Sequence, residues 1–319
     1  MTTFKERKNN ISRRSFIRSS IYGSMALMSP GLSNELLAGE EILHLCILHT
    51  NDTHSRIDPY PENDPDFPLM GGYARRAAAI NKIRKENEHV LLLDSGDILQ
   101  GTPYFNIYGG EPEFKLMTRM GYDAATIGNH EFDNGLDGLK KILPHAGFPF
   151  VSSNYDFSHT ILQDYIKTYK VIEKGEIKIG IYGLGIELEG LVGKNLYGKT
   201  RYMNPLKIAQ DIEFYLKEDK KCDLIVCLSH LGFEYETNKI SDKFIAKNTR
   251  FTDIILGGHT HTFISPTFET ANAANQIVRI SQMGYGGVRL GRMDVYFNPK
   301  NGSFLVESAT TNISENQVS

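Results

Sequence analysis

Short apolar runs, each closed by polar residues or glycine, recur along this chain and read as buried strands: Ile42–Thr50, Val90–Asp94, Ala124–Gly128, Leu224–Leu228 and Ile254–Gly258. Between them the apolar period changes to that of a helix. Gly71–Glu88 carries Tyr73, Ala77, Ile80 and Ile83 on or near one face. Phe114–Met120 and Leu136–Ala146 also read as helices, and Ile177–Leu184 as a strand. Pro205–Asp219 opens with proline at a helix start and places Leu206, Ile208, Ile212 and Leu216 along it. The last part changes character: Gln276–Ser281, Arg289–Phe297 and Ser303–Glu307 are strand-like with no helix between, and the turn Asn298-Pro299-Lys300-Asn301-Gly302 predicts a closing hairpin. The alternation predicts a single α/β domain, without internal repeats or a low-complexity linker. Arg56–Met70, rich in proline and acid, reads as a surface loop, and Gly185–Arg201 as a mobile loop beside the site.

The residues that close the five runs carry more chemistry than the runs themselves. The endings are Asn51-Asp52-Thr53-His54, Ser95-Gly96-Asp97, Asn129-His130-Glu131, Ser229-His230 and His259-Thr260-His261. Open α/β sheets place ligands beyond the carboxyl ends of their strands, so endings far apart in sequence can converge on one point. Aspartate, histidine and an asparagine carbonyl without cysteine suit Mn²⁺, Fe²⁺, Zn²⁺ or Co²⁺. Asp94 lies near the second ending but reads as a cap of the strand turn or as a residue that orients a ligand. His44, His49, His89, His145 and His159 fall outside the endings and read as ordinary packing or surface residues.

In these motifs the chain resembles the calcineurin-like metallophosphoesterases, within them the 5'-nucleotidase branch, over Leu45–Phe297. Gln100-Gly101-Thr102-Pro103, Glu131-Phe132-Asp133 and Leu290-Gly291-Arg292 extend the likeness. The resemblance implies a four-layered α/β/β/α sandwich and two divalent metal ions. It implies one ion on Asp52, His54, Asp97 and His261, the other on Asp97, Asn129, His230 and His259, with Asp97 bridging. Such a pair, about 3.5–4 Å apart, activates a bound hydroxide for in-line attack on phosphate. It further implies that His130 is not a ligand but faces the phosphate and leaving group, oriented by Asp133. The implied activity is a phosphomonoesterase acting on nucleotides. A nucleotide or cyclic-nucleotide phosphodiesterase, a UDP-sugar hydrolase, a thiosulfohydrolase-like enzyme, or a metal-binding or partner-docking module without turnover are the alternatives. Bacterial members usually continue into a second, base-clamping domain. This sequence ends at Ser319, so the expectation is a separate polypeptide supplying base selectivity. Tyr104, Phe105 and Tyr108 are expected to pack in the core rather than hold a base.

Residues 1–39 differ from the rest. Ser12-Arg13-Arg14-Ser15-Phe16-Ile17 followed by the apolar Ile21–Met28 resembles a twin-arginine export signal, leaving 40–319 as the catalytic domain and predicting a periplasmic or otherwise exported protein. Residues 1–39 carry six Lys or Arg and two Asp or Glu; the remainder holds 29 against 36, a net charge of about −7. That balance argues against nucleic acid as a partner and against adhesion to anionic membranes. No apolar run predicts a stable membrane anchor, and the resemblance implies a small phosphoester as the partner. Cys46, Cys222 and Cys227 lie in or beside predicted strands. Buried free thiols are expected rather than a Cys46–Cys227 bridge.

Overall fold

The computed structural model describes residues 42–315, so the export signal lies outside the described residues. In chain order the strands are β1 (Leu43–Thr50), β2 (Val90–Asp94), β3 (Ala124–Thr126), β4 (Phe150–Val151), β5 (Tyr155–Asp156), β6 (Ile166–Lys167), β7 (Tyr169–Lys174), β8 (Ile177–Gly185), β9 (Arg201–Tyr202), β10 (Leu224–His230), β11 (Ile254–Leu256), β12 (Phe268–Ala271), β13 (Ile277–Ser281), β14 (Arg289–Phe297) and β15 (Phe304–Asn312). The helices are α1 (Tyr73–Glu86), α2 (Pro103–Tyr108), α3 (Glu111–Met120), α4 (Gly135–Ile142), α5 (Lys194–Tyr197), α6 (Pro205–Phe214) and α7 (Asp242–Asn248).

Two mixed sheets pack face to face. The first has the order β15-β14-β1-β2-β3-β4-β6, the second β12-β13-β11-β10-β8-β7, and β5 pairs separately with β9. Period-two alternation sorts the strand side chains into layers. Leu45, Ile47, Leu91 and Leu93 of the first sheet meet Ile179, Ile181, Leu224, Val226 and Leu228 of the second in the central core. Their sequence neighbours Cys46, Leu48, Val90 and Leu92 face the other way, onto α1 and α3. On the far side Ile225, Cys227 and Ile255 meet Ala209 of α6 and Ile245 of α7. The result is the four-layered α/β/β/α sandwich. A strand that is apolar on both faces can occur only where both faces are covered, which is why the runs read as unbroken. Each fully buried Leu or Ile contributes roughly 1.5–3 kcal/mol relative to exposure.

Local chemistry sets the helix ends. α3 begins three residues earlier than predicted, with Pro112 in its first turn, and ends at Gly121, whose φ of 73° is open to glycine. The helix predicted over 136–146 divides into α4 and a 3₁₀ turn at Leu143–His145, because Pro144 lacks the N–H that would continue it. The last turn of the helix predicted over 205–219 widens into a π turn at Tyr215–Asp219.

Three expectations need correction or completion. Gly185–Arg201 is not an unstructured loop: it contains α5, and Leu188, Val192 and Tyr197 anchor it in the core. Of the three aromatics after the second motif only Phe105 is buried; Tyr104 and Tyr108 stack on each other at 6.4 Å, and Tyr108 is 56% exposed. All three cysteines are buried and free, and Cys46 and Cys227 sit in different sheets facing different helix layers.

Candidate metal centre

β1, β2 and β3 of the first sheet and β10 and β11 of the second deliver all nine predicted side chains to one place. Ligand-capable atoms of Asp52, His54 and His261, of His54, Asp97 and His130, and of Asp97, His230 and His259 each lie within 4.8 Å of one another. His54 Nε2 is 3.0 Å from His261 Nε2, and His261 Nε2 is 3.4 Å from Asp52 Oδ1. On the other side His230 Nε2 is 3.0 Å from Asp97 Oδ2, and His259 Nδ1 is 2.9 Å from Asn129 Oδ1. Asp97 therefore stands between the two halves.

The turns that achieve this are strained. Asp52, His54, Asp97, His259 and His261 all have positive φ, between 47° and 74°. A non-glycine residue in that region costs on the order of 1–3 kcal/mol and persists only when its surroundings over-determine it. Backbone hydrogen bonds supply that constraint. Asp52 N–H donates to Gly96 O at 2.9 Å, His54 N–H to Asp97 O at 3.1 Å, and His259 N–H to Asp52 Oδ1 at 3.0 Å. Two glycines are required by closeness rather than by φ. A Cβ on Gly128 would lie 2.3 Å from Asp97 Oδ1, and one on Gly258 would lie 2.8 Å from His230 Nδ1.

Glu131 is a residue whose role the sequence does not reveal. Its buried carboxylate accepts from the N–H groups of Asp97 at 3.0 Å, Ile98 at 2.8 Å, Leu99 at 3.3 Å and Gly128 at 2.6 Å, tying the second motif to the third. Asn51 is another. Its amide N–H donates to Asp52 Oδ2 at 2.6 Å and to Gly284 O at 2.7 Å, while its carbonyl accepts from Met283 N–H at 2.8 Å. Both adjoin predicted site residues, yet a buried strut leaves no periodic signal. Asp94 caps its strand turn as expected, accepting from Gly96 N–H at 2.9 Å and from the Thr50 hydroxyl, and burial pushes it up to about 7.

Two of the histidines outside the cluster are structural. His44 pairs with Asp294 at 2.7 Å and stacks on Tyr296. His49 is wholly buried opposite Gly291, where a Cβ would lie 2.0 Å from its Nε2; burial drags its pKa to about 3 and keeps it neutral. This packing accounts for the glycine of Leu290-Gly291-Arg292.

The donor set fits cations. His230 Nδ1 is 2.7 Å from Ser95 O, where its N–H donates, which turns Nε2 toward Asp97 and Asp52. The Nε2 contact with Asp97 is close but not aligned as a hydrogen bond, and this buried nitrogen has no hydrogen-bond partner among the described residues. Burial pulls the His230 ring down, but the Asp97 and Asp52 charges raise it to about 10. Burial and the neighbouring His230 charge lower His259 to about 4. Burial opposes ionisation of Asp97, yet His230, His130 and His54 hold it well below the usual carboxylate range. Burial also opposes charge on His130, but its hydrogen bond to Asp133 at 2.8 Å and the charges of Asp97 and Asp133 raise it to about 9.

Known proteins resemble this chain in sequence and in fold. Over 306 residues the chain is 34% identical to the snake venom 5'-nucleotidase of Gloydius brevicauda, covering 86% of this chain and 49% of that protein. Among solved structures, a 5'-nucleotidase precursor from Thermus thermophilus superposes with a TM-score of 0.77 at 30% identity, covering 86% of this chain and 55% of that one. The calcineurin-like phosphoesterase YfkN from Bacillus subtilis gives a TM-score of 0.71 at 26% identity, covering 86% and 92%. The chain spans about half the length of the venom nucleotidases it matches. Residues 46–263 match the calcineurin-like phosphoesterase model, a span that contains every strand ending described above, and the chain belongs to that family.

Proposed function

We propose that this protein is a metal-dependent phosphomonoesterase of the 5'-nucleotidase type, acting on nucleoside monophosphates. The observation that carries the reading is the coexistence of a closed Asp/His/Asn cluster with a histidine, His130, paired to its own carboxylate and 33% exposed beside that cluster. A merely structural metal site has no use for such a group.

In this reading Asp52, His54, Asp97 and His261 hold one divalent cation and Asp97, Asn129, His230 and His259 the other, with Asp97 shared. Two such ions polarise the phosphoryl oxygens and lower the pKa of an attacking water. The remaining steps belong to the protein. Asn129 contributes a neutral oxygen, leaving net positive charge for the phosphate. Asp97 Oδ1 accepts from the backbone N–H of His130 at 2.8 Å, fixing the shared carboxylate. Asp133 fixes the His130 ring and keeps it protonated, so that the imidazolium neutralises a phosphoryl oxygen or gives its proton to the departing alkoxide. The donor atoms suit Mn²⁺, Fe²⁺, Zn²⁺ or Co²⁺, and the resident pair is set by availability as much as by affinity.

Export by the twin-arginine route is part of the same proposal, supported by Ser12–Ile17. Replacing Arg13-Arg14 with Lys-Lys should leave folded protein inside the cell; unchanged export would exclude the route. Among the described residues no helix is long and apolar enough to cross a membrane. The activity is tested by anaerobic purification, elemental analysis and phosphate release from AMP, other mononucleotides, cyclic nucleotides, UDP-sugars and p-nitrophenyl phosphate. Two metal equivalents with AMP turnover support the reading. Metal without turnover of any ester refutes it.

A further inference from the structure

An aromatic group adjoins the candidate centre and belongs to none of the three core clusters. Tyr285 stacks on the His261 ring, with centroids 4.9 Å apart and planes at 22°. Phe67 meets Tyr285 edge-on at 5.4 Å, and Phe263 lies 6.3 Å from Tyr285 and 5.8 Å from Phe67. These rings are only partly covered: Phe263 is 37% exposed, and Tyr285 and Phe67 are half-buried. The Arg289 guanidinium sits 4.6 Å over the Phe263 ring.

Hydrophobic burial alone does not account for how Tyr285 is held. It sits between Gly284 and Gly286, with Gly287 next in the chain, at φ of 72°, 66° and 63°. A Cβ on Gly284 would fall 2.0 Å from the Phe263 ring, and one on Gly286 2.2 Å from the Tyr60 hydroxyl. Three hydrogen bonds bolt the turn to the end of β1: Met283 N–H and Gly284 O to the Asn51 amide, and Gly286 N–H to Asp52 O at 2.7 Å. Asn51 also reaches the Asp52 carboxylate at 2.6 Å. One side chain thus sets both a candidate metal ligand and the loop that presents Tyr285. Ordering several glycines is entropically costly, and here it yields a rigid, partly exposed ring one stacking step from His261.

We propose that Tyr285, Phe263 and Phe67 form a platform for the leaving group: a stacking surface for a planar, unsaturated ring carried on the phosphoester, such as a nucleobase, with the Arg289 guanidinium over Phe263. This rests on the phosphoesterase reading above and deepens it. A phosphate at the metals is recognised at one end only; the platform supplies recognition at the other. It also means that base selectivity resides partly in this chain, contrary to the expectation that a separate polypeptide supplies it.

Stacking on an aromatic is worth roughly a factor of ten or more per base. The experiment compares kcat/KM for AMP and for ribose 5-phosphate, in which a hydroxyl stands in place of the base, in wild type, Tyr285→Ala, Tyr285→Phe and Phe263→Ala with metal content measured in each. Expected is a wild-type preference for AMP that falls about tenfold in both alanine variants and is kept by Tyr285→Phe, since the ring and not the hydroxyl does the stacking. Equal losses on both substrates, or an unchanged preference, overturn the proposal. If Tyr285→Ala does not fold, Phe263→Ala, at the exposed edge and away from the Asp52 backbone, decides alone. Calorimetric titration with adenosine gives a readout that needs no turnover: binding to wild type and its loss in Phe263→Ala support the platform, and equal binding by the two refutes it. If no ester is hydrolysed at all, the phosphoesterase reading falls, while the adenosine titration still decides the platform.

Discussion

Asp133→Asn isolates the part of the site that handles protons. The substitution keeps the size of the side chain and an oxygen able to accept from His130 Nδ1–H, now at 2.8 Å, but removes the charge. His130 is held at about 9, against an ordinary 6.5, by four contributions acting against burial: the Asp133 hydrogen bond, the Asp97 charge, the Asp133 charge and the Glu131 charge. Asp133 supplies two of these, so its neutralisation should lower the ring by about 1–2 pH units. Bound cations would move wild type and variant down together, which makes the difference the observable. In the proposed mechanism the protonated ring is the active form, so turnover should be complete below its pKa and lost as pH rises through it. The alkaline limb of kcat for AMP should therefore move down by about 1–2 units. Above both limbs the variant should be slower by about 10- to 100-fold, and in acid the two should converge. The assay is phosphate release at saturating metal from pH 5 to 10. A uniformly slower variant with an unmoved limb would show that Asp133 only orients the ring. The stability sign is the same: a raised histidine pKa stabilises the fold fully below pH 6.5 and ceases to as pH rises through about 9. The Tm penalty of Asp133→Asn should accordingly be larger at pH 6 than at pH 10.

The same geometry sets further outcomes. Asp97→Ala should lose both metal equivalents and nearly all turnover, whereas His130→Ala should keep the metal and lose about 10²- to 10⁴-fold in rate; equal metal loss in the two, by elemental analysis, would refute the role assignment. Glu131→Ala strands four buried N–H groups at about 1–3 kcal/mol each, so Tm should fall steeply, while Glu131→Gln, which can still accept, should retain part of the difference. A proton on His230 Nε2 occupies the lone pair a cation would need, so metal retained after dialysis should increase from pH 5 to pH 8; a flat dependence would place His230 outside the ligand set.

Much of this protein is legible in one dimension because its signals are local. A strand covered on both faces must be apolar throughout, so β1, β2 and β10 announce themselves, and a metal ligand must be one of few residue types, so their polar endings stand out. The endings that carry Asp52, His54, Asp97, Asn129, His130, His230, His259 and His261 stand out for that reason, while the roles expected of these residues and of Asp133 come from the resemblance to the metallophosphoesterases. Other features depend on contacts between distant segments, and sequence alone could not place them. Glu131 looks like any acidic residue until four backbone N–H groups from two turns close around it. Gly291 is required only because His49, on the neighbouring strand, fills the space a Cβ would take. The segment 185–201 has too few periodic apolar residues to read as packed, yet Leu188, Val192 and Tyr197 find their partners in the core. Tyr285 and Phe263, scattered among glycines and polar residues, show no pattern at all. They become a surface beside His261 only when Asn51, more than two hundred residues earlier, pins the loop that carries Tyr285 to the end of β1.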